Sequence, residues 1–142
     1  GGFLSAGSYV VRAVKNGSNQ TINNGSDTVV TFIDDFDTNN WFTSNQFKPT
    51  IAGYYLVTGS IDAGGTASNL NRAISTIYKN GSAYRYGTIS QSTQNQRYTM
   101  SDLVYMNGST DYVEVYANFG ATQNNYANRS QTFFQGFLAR GA

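Results

Sequence analysis

The chain has 142 residues and a net charge of +1, and only 12% of its residues are charged. That length supports one domain with its own core, 1–142, and so little charge argues against electrostatic capture of nucleic acid or anionic lipid. Cys and His are both absent, which excludes disulfides, thiolate chemistry and imidazole as base or metal ligand.

Helical periodicity is nearly absent. Short β-rich runs alternate with Asn-Gly and Gly-Ser turn chemistry, the pattern of an all-β sandwich or barrel. In chain order, strands are expected over 9–14, 28–33, 40–47, 52–61, 70–79, 83–90, 97–106, 111–119 and 131–139. Tight turns are expected at "NNGS" (23–26), "KNGS" (79–82) and "MNGST" (106–110), where Asn and Gly tolerate positive φ. No apolar run approaches the length of a membrane span, so no membrane insertion is expected.

Several of these strands are apolar on both faces. In "FKPTIAGYYLVTGSI" (47–61), Ala52, Tyr54 and Leu56 alternate with Gly53, Tyr55, Val57 and Ile61. In "DYVEVYANF" (111–119), Val113, Val115, Ala117 and Phe119 alternate with Tyr112, Glu114 and Tyr116. One face of each lines the interior. The other is too aromatic to leave in water as a contiguous patch, and a further copy of the chain is the economical cover. Tyr54, Leu56, Tyr112 and Tyr116 are the expected interface residues.

These stretches carry a resemblance. "FKPTIAGYY" resembles the Gly-x-Tyr strand of complement C1q-type and tumour-necrosis-factor-like domains, with Gly53 and Tyr55 on the motif. "STIYKNGS" is similar to the following hairpin at Lys79, Asn80 and Gly81. "YMNGSTDYVEVYA" resembles the Gly-Asp loop and its strand, with Thr110 in place of the Gly and Asp111 keeping the acid. "QTFFQGFLAR" resembles the closing strand. The wording is nearest to versions in bacteriophage tail-fibre and other virion structural proteins. The resemblance implies a ten-stranded jelly-roll β-sandwich, homotrimeric through the face of one sheet, at the C-terminal head of a longer chain.

Candidate chemistry is sparse. Asp35, Asp37 and Asn39 in "DDFDTNN" match the first half of a calcium loop, but Asn40 and Gln46 stand where that loop needs Gly and Glu. Plain turn capping is the favoured reading, so no cofactor is expected, with calcium the one alternative. Glu114 lies mid-strand, and catalysis by a carboxylate pair is not expected. Asn-x-Ser/Thr sites such as Asn80 and Asn107 read as turn chemistry rather than glycan acceptors.

The remaining signal is aromatic and amide side chains in polar loops. Ring faces take the C–H face of a sugar, while amides and Arg take its hydroxyls. The candidate ligand contacts are Trp41, Tyr84, Arg97, Asn124, Asn125, Tyr126 and Arg129, from the loops 91–97 and 122–129 and their neighbours. The expected function is a non-enzymatic trimeric head of a phage fibre or related virion protein, outside the cell, binding a host-surface receptor with glycan chemistry. A ligand-free trimerising cap and a secreted C1q-type lectin are the alternatives.

Overall fold

The computed structural model describes residues 9–15, 18–64, 70–87, 90–92, 96–120, 123–125 and 131–142. These form fourteen strand segments: β1 (Val10–Val14), β2 (Gln20–Ile22), β3 (Thr28–Val29), β4 (Ile33–Asp37), β5 (Phe42–Thr43), β6 (Gln46–Phe47), β7 (Gly53–Gly64), β8 (Leu70–Lys79), β9 (Ser82–Tyr86), β10 (Ser90–Ser92), β11 (Gln96–Met106), β12 (Val113–Phe119), β13 (Gln123–Asn125) and β14 (Phe133–Gly141). The first sheet runs β11–β7–β14–β1–β4, with β13 and then β2 continuing beside β7. The second runs β9–β8–β12–β6–β5, with β10 alongside β8 and β3 alongside β12. All strand pairs are antiparallel. Each sheet has seven of these segments, and β2, β3, β5, β6, β10 and β13 are only two or three residues long.

Alternation decides what lies between the sheets. Tyr55, Val57 and Ile61 of β7 point inward, as do Val113, Val115, Ala117 and Phe119 of β12, and all are buried. Phe47 and Phe134 join Tyr55 and Trp41 in a cluster of rings, with Phe47 and Tyr55 centroids 5.5 Å apart. The Tyr55 hydroxyl donates to the Ile51 carbonyl at 2.8 Å, so the one polar atom of this ring is satisfied.

The Gly-x-Tyr motif has a steric cause. A Cβ on Gly53 would stand 2.5 Å from the Arg140 carbonyl oxygen, so only Gly lets β14 pair this closely with β7. The three predicted turns form where Asn-Gly stands. Asn80 and Gly81 have φ of 53° and 78°, the backbone that joins β8 directly to β9.

Three expected elements differ, and β2 and β13 fall where no strand was expected; the run 83–90 is divided, with β9 ending at Tyr86 and β10 beginning at Ser90. The run 28–33 is not one strand: β3 pairs with β12 in the second sheet, and the chain then crosses to place β4 beside β1 in the first. The run 40–47 is a two-rung hairpin, in which Phe42 pairs Phe47.

Candidate functional site

Register places the outward side chains of the first sheet in rows. Tyr105, Tyr54 and Arg140 make the first; Leu103, Leu56, Phe137 and Val10 the second. A polar row follows, from Ser101 and Thr58 to Gln135 and Arg12. At the β4 margin stand Phe36 and Ile33. Tyr54, Leu103, Tyr105 and Phe137 are each 40–51% exposed, and Ile33 and Phe36 are exposed with them. The rings of Tyr54 and Tyr105 lie 5.4 Å apart within the first row, and the second row lies two residues further along β11 and β7 on the same face.

The polar row is internally paired. Thr58 and Ser101 share a 2.6 Å hydrogen bond, and Arg12 Nε donates to Asp35 at 2.6 Å. Beyond it Arg97 of β11 stands opposite Asp62 of β7. Burial raises the Asp62 carboxyl above its ordinary range and the Arg97 charge opposes that rise. Polar pairs thus interrupt the face beyond the apolar rows.

The second sheet presents a different outer face. Tyr78 and Tyr116 stack with centroids 3.7 Å apart, Tyr78 donates its hydroxyl to Asp27, and Asn118 donates to the same carboxylate. Glu114 lies across from Tyr78, raised by burial and partly restored by a hydrogen bond from Gln46. This corrects the expected interface. Tyr54 and Leu56 belong to the first sheet, whereas Tyr116 lies on the outside of the second and Tyr112 rests beside the β8–β9 turn, its N–H donating to Asn80 Oδ1. One flat contact surface cannot hold all four. The exposed apolar residues that share the outer face of the first sheet with Tyr54 and Leu56 are Leu103, Tyr105 and Phe137. Their signal was the same doubly apolar alternation, visible in "DLVYM" (102–106).

Among the described residues the expected ligand contacts do not converge. Trp41 is a second correction: it is 3% exposed, stacked on Tyr9 at 5.5 Å, with its indole N–H donating to Thr50 at 3.0 Å. A ring enclosed this way has no face to offer a ligand. Arg97 sits in β11 rather than in a loop, and Asn124 and Asn125 are in β13, which pairs β7 at Gly64 and Ala63. These three share one end of the first sheet. Tyr84 is in β9 of the second sheet, exposed, with Lys79 Nζ 6.0 Å from its ring. Tyr126 and Arg129 lie outside the described residues.

The acidic stretch is engaged in structure. Asp37 accepts the backbone N–H groups of Trp41 (2.9 Å) and Phe42 (2.8 Å), Asp35 pairs with Arg12, and Asn39 accepts from Thr38. Asp35 is the extra residue of a β-bulge between β1 and β4. Among the described residues no group of three or more carboxylates converges as a metal site would require.

The arrangement of the two sheets has solved counterparts. Eiger TNF from S. frugiperda superposes with a TM-score of 0.70 at 9% identity, covering 94% of each chain. The globular domain of zebrafish complement 1qA protein gives 0.65 at 12% identity, over 94% of this chain and 98% of that one. Murine APRIL gives 0.65 at 10% identity, over 92% and 98%. This is the C1q/TNF jelly-roll fold. No protein-family model and no curated sequence matches the chain. In a C1q/TNF sandwich with this sequence, the apolar rows fall on the β11–β7–β14–β1–β4 sheet, and the tyrosine stack falls on the opposite one.

Proposed function

We propose that the chain is a non-enzymatic head domain that trimerises through the outer face of the β11–β7–β14–β1–β4 sheet and binds a receptor on a host cell surface, as part of a phage fibre or related virion protein. The carrying observation is the contiguous exposed surface of Tyr54, Tyr105, Leu103 and Phe137, which an isolated domain would leave in water. The outer face of the second sheet then remains outside the assembly. Five of the eight carboxylates support a non-catalytic role, since Asp27, Asp35, Asp37, Asp102 and Asp111 accept hydrogen bonds from Tyr78, Arg12, the Trp41 N–H, Arg85 and Asn80 in turn. The virion setting and the glycan chemistry come from the sequence resemblance and the polar, aromatic loops.

Sedimentation equilibrium at micromolar concentration tests the assembly, and three times the chain mass is expected. A stable monomer would overturn it. Adsorption of the trimer to host cells tests the receptor role, and a trimer that adheres to no cell would leave the ligand-free cap.

A further inference from the structure

Among the described residues the two sheets expose different chemistry. Every exposed leucine, isoleucine and phenylalanine lies on the first sheet, whereas the large apolar side chains that the second exposes are Tyr84 and Tyr86 of β9. A tyrosine joins an apolar ring face to a polar rim, so it suits a surface that stays wet and still holds a ligand. Tyr86 is the most exposed of these large side chains, at 66%.

Register builds a row around it on the outer face of the second sheet. Tyr86 stands opposite Thr76 and Thr76 opposite Tyr116, whose ring stacks on Tyr78. Burial, then the hydrogen bond and charge of Asp27, then the hydroxyls of Tyr86 and Tyr116 raise Tyr78 to about 12, so the three phenols share one neighbourhood. Glu114 flanks the stack opposite Tyr78. Lys48, whose N–H donates to the Trp41 carbonyl at 2.7 Å, follows inward-facing Phe47 and takes the outward side with Gln46. The Tyr78 hydroxyl is committed to Asp27. Among the described residues the Tyr86 and Tyr116 hydroxyls and the Lys48 ammonium have no hydrogen-bond partner, and Glu114 takes only the Gln46 donor. These groups are open to a ligand.

We propose that this face binds a neutral sugar residue, with the C–H face of the sugar on Tyr86 and its hydroxyls on Tyr116, Glu114 and Lys48. The inference rests on the receptor-binding reading above and names its site and ligand class. Charge selects the class. The face carries two carboxylates, Asp27 and Glu114, and two cations, Arg72 and Lys48, and none of the four is ion-paired among the described residues. A charged ligand would meet as many like as opposite charges here, so hydroxyls are the better complement. A carboxylate can accept two vicinal O–H groups, an ammonium can donate to sugar oxygens, and a phenol can do either. Such a shallow site binds weakly alone, and three copies on one head add avidity.

The test uses the whole trimer, labelled with ¹³C at the tyrosine Cε positions and titrated with the methyl glycosides of glucose, galactose and mannose. The Tyr86 and Tyr116 signals are assigned from Tyr86→Ala and Tyr116→Phe. At least one glycoside should shift both signals saturably. Tyr86→Ala, at an exposed position, should keep the wild-type melting temperature and weaken binding about tenfold. Tyr116→Phe keeps the stack on Tyr78, loses only the hydroxyl, and should weaken binding about fivefold. Signals that stay unmoved, or that drift without saturating, with all three glycosides overturn the proposal. Tighter binding of glucosamine hydrochloride or sodium glucuronate than of any methyl glycoside overturns the neutral class. Host-cell adsorption that is undiminished in Tyr86→Ala overturns this site while leaving the receptor-binding reading standing. Glycoside binding by a trimer that adheres to no cell supports the site and overturns the receptor role.

Discussion

Asp111 accepts a hydrogen bond from the Asn80 side-chain amide at 2.8 Å, joining the β8–β9 and β11–β12 turns. Its other oxygen takes the Asn107 N–H at 3.0 Å and lies 3.2 Å from Lys79 Nζ. Asn80 in return accepts the Tyr112 N–H at 3.0 Å. Two of the motifs that carry the family resemblance, Lys-Asn-Gly and the acid before the alternating valines, are therefore one structural unit. They hold the end of the sandwich together.

That unit should respond to acid. Burial favours the neutral carboxyl, but the hydrogen bonds from Asn80, Lys79 and Asn107 outweigh it and hold Asp111 below its ordinary 3.8. A lowered folded pKa contributes stability that is present above 3.8 and lost as pH falls through the folded value. Asp111→Asn should cost about 1–3 kcal/mol at pH 7, as lost charge-assisted hydrogen bonds do. The gap between the two proteins should close below pH 3.8. Urea titrations across the acid range measure it.

The two outer faces should answer differently to charge. Leu103→Asp places a carboxylate in the apolar row beside Leu56 and Phe137 and should shift the trimer to monomer. Tyr116→Lys should leave it trimeric, with the loss of the Tyr78 stack costing about 1 kcal/mol of fold stability. Sedimentation of both variants decides, and dissociation by Tyr116→Lys alone would move the interface to the second sheet.

Alkaline behaviour has two limbs of opposite sign. Lys15 falls from 10.5 to about 8 by burial, so between those values the unfolded chain binds more protons and stability rises with pH. Tyr55 rises from 10.0 to about 12 by burial, with Tyr9 adding, so above pH 10 the folded chain holds the proton and stability falls. Relative to Lys15→Met, the wild type should gain about 2 kcal/mol between pH 8 and 10. Tyr55→Phe should lose about 1 kcal/mol with the Ile51 hydrogen bond and flatten the descending limb. Thermal unfolding from pH 7 to 12 reads both.

Calcium should change little. The Asp37 oxygens are spent on the backbone N–H groups of Trp41 and Phe42, and Asp35 on Arg12. Neither EDTA nor millimolar calcium should move the melting temperature; a calcium-dependent rise would show a site that binds the folded state.

The sequence by itself determined the all-β class, the long strands and the turns, and its motifs carried the resemblance to the fold. Two-residue alternation names the inward residues of β7 and β12, Asn-Gly marks the turns, and Gly53 and Tyr55 carry a motif whose cause is the contact with Arg140 and the ring cluster. These are local properties, written in consecutive residues. Only the tertiary structure decided sidedness. Alternation shows that Tyr54 and Tyr116 both point away from a core, but not that they point away from opposite sheets, because sheet membership depends on partners far along the chain. Trp41 follows polar residues and reads as exposed until Tyr9, Phe47 and Tyr55 close around it. Nothing in the sequence singles out Lys15, which is buried. The return of β2 and the β3–β4 connection around its ammonium is what buries the charge, and that return is a long-range packing event with no local signature.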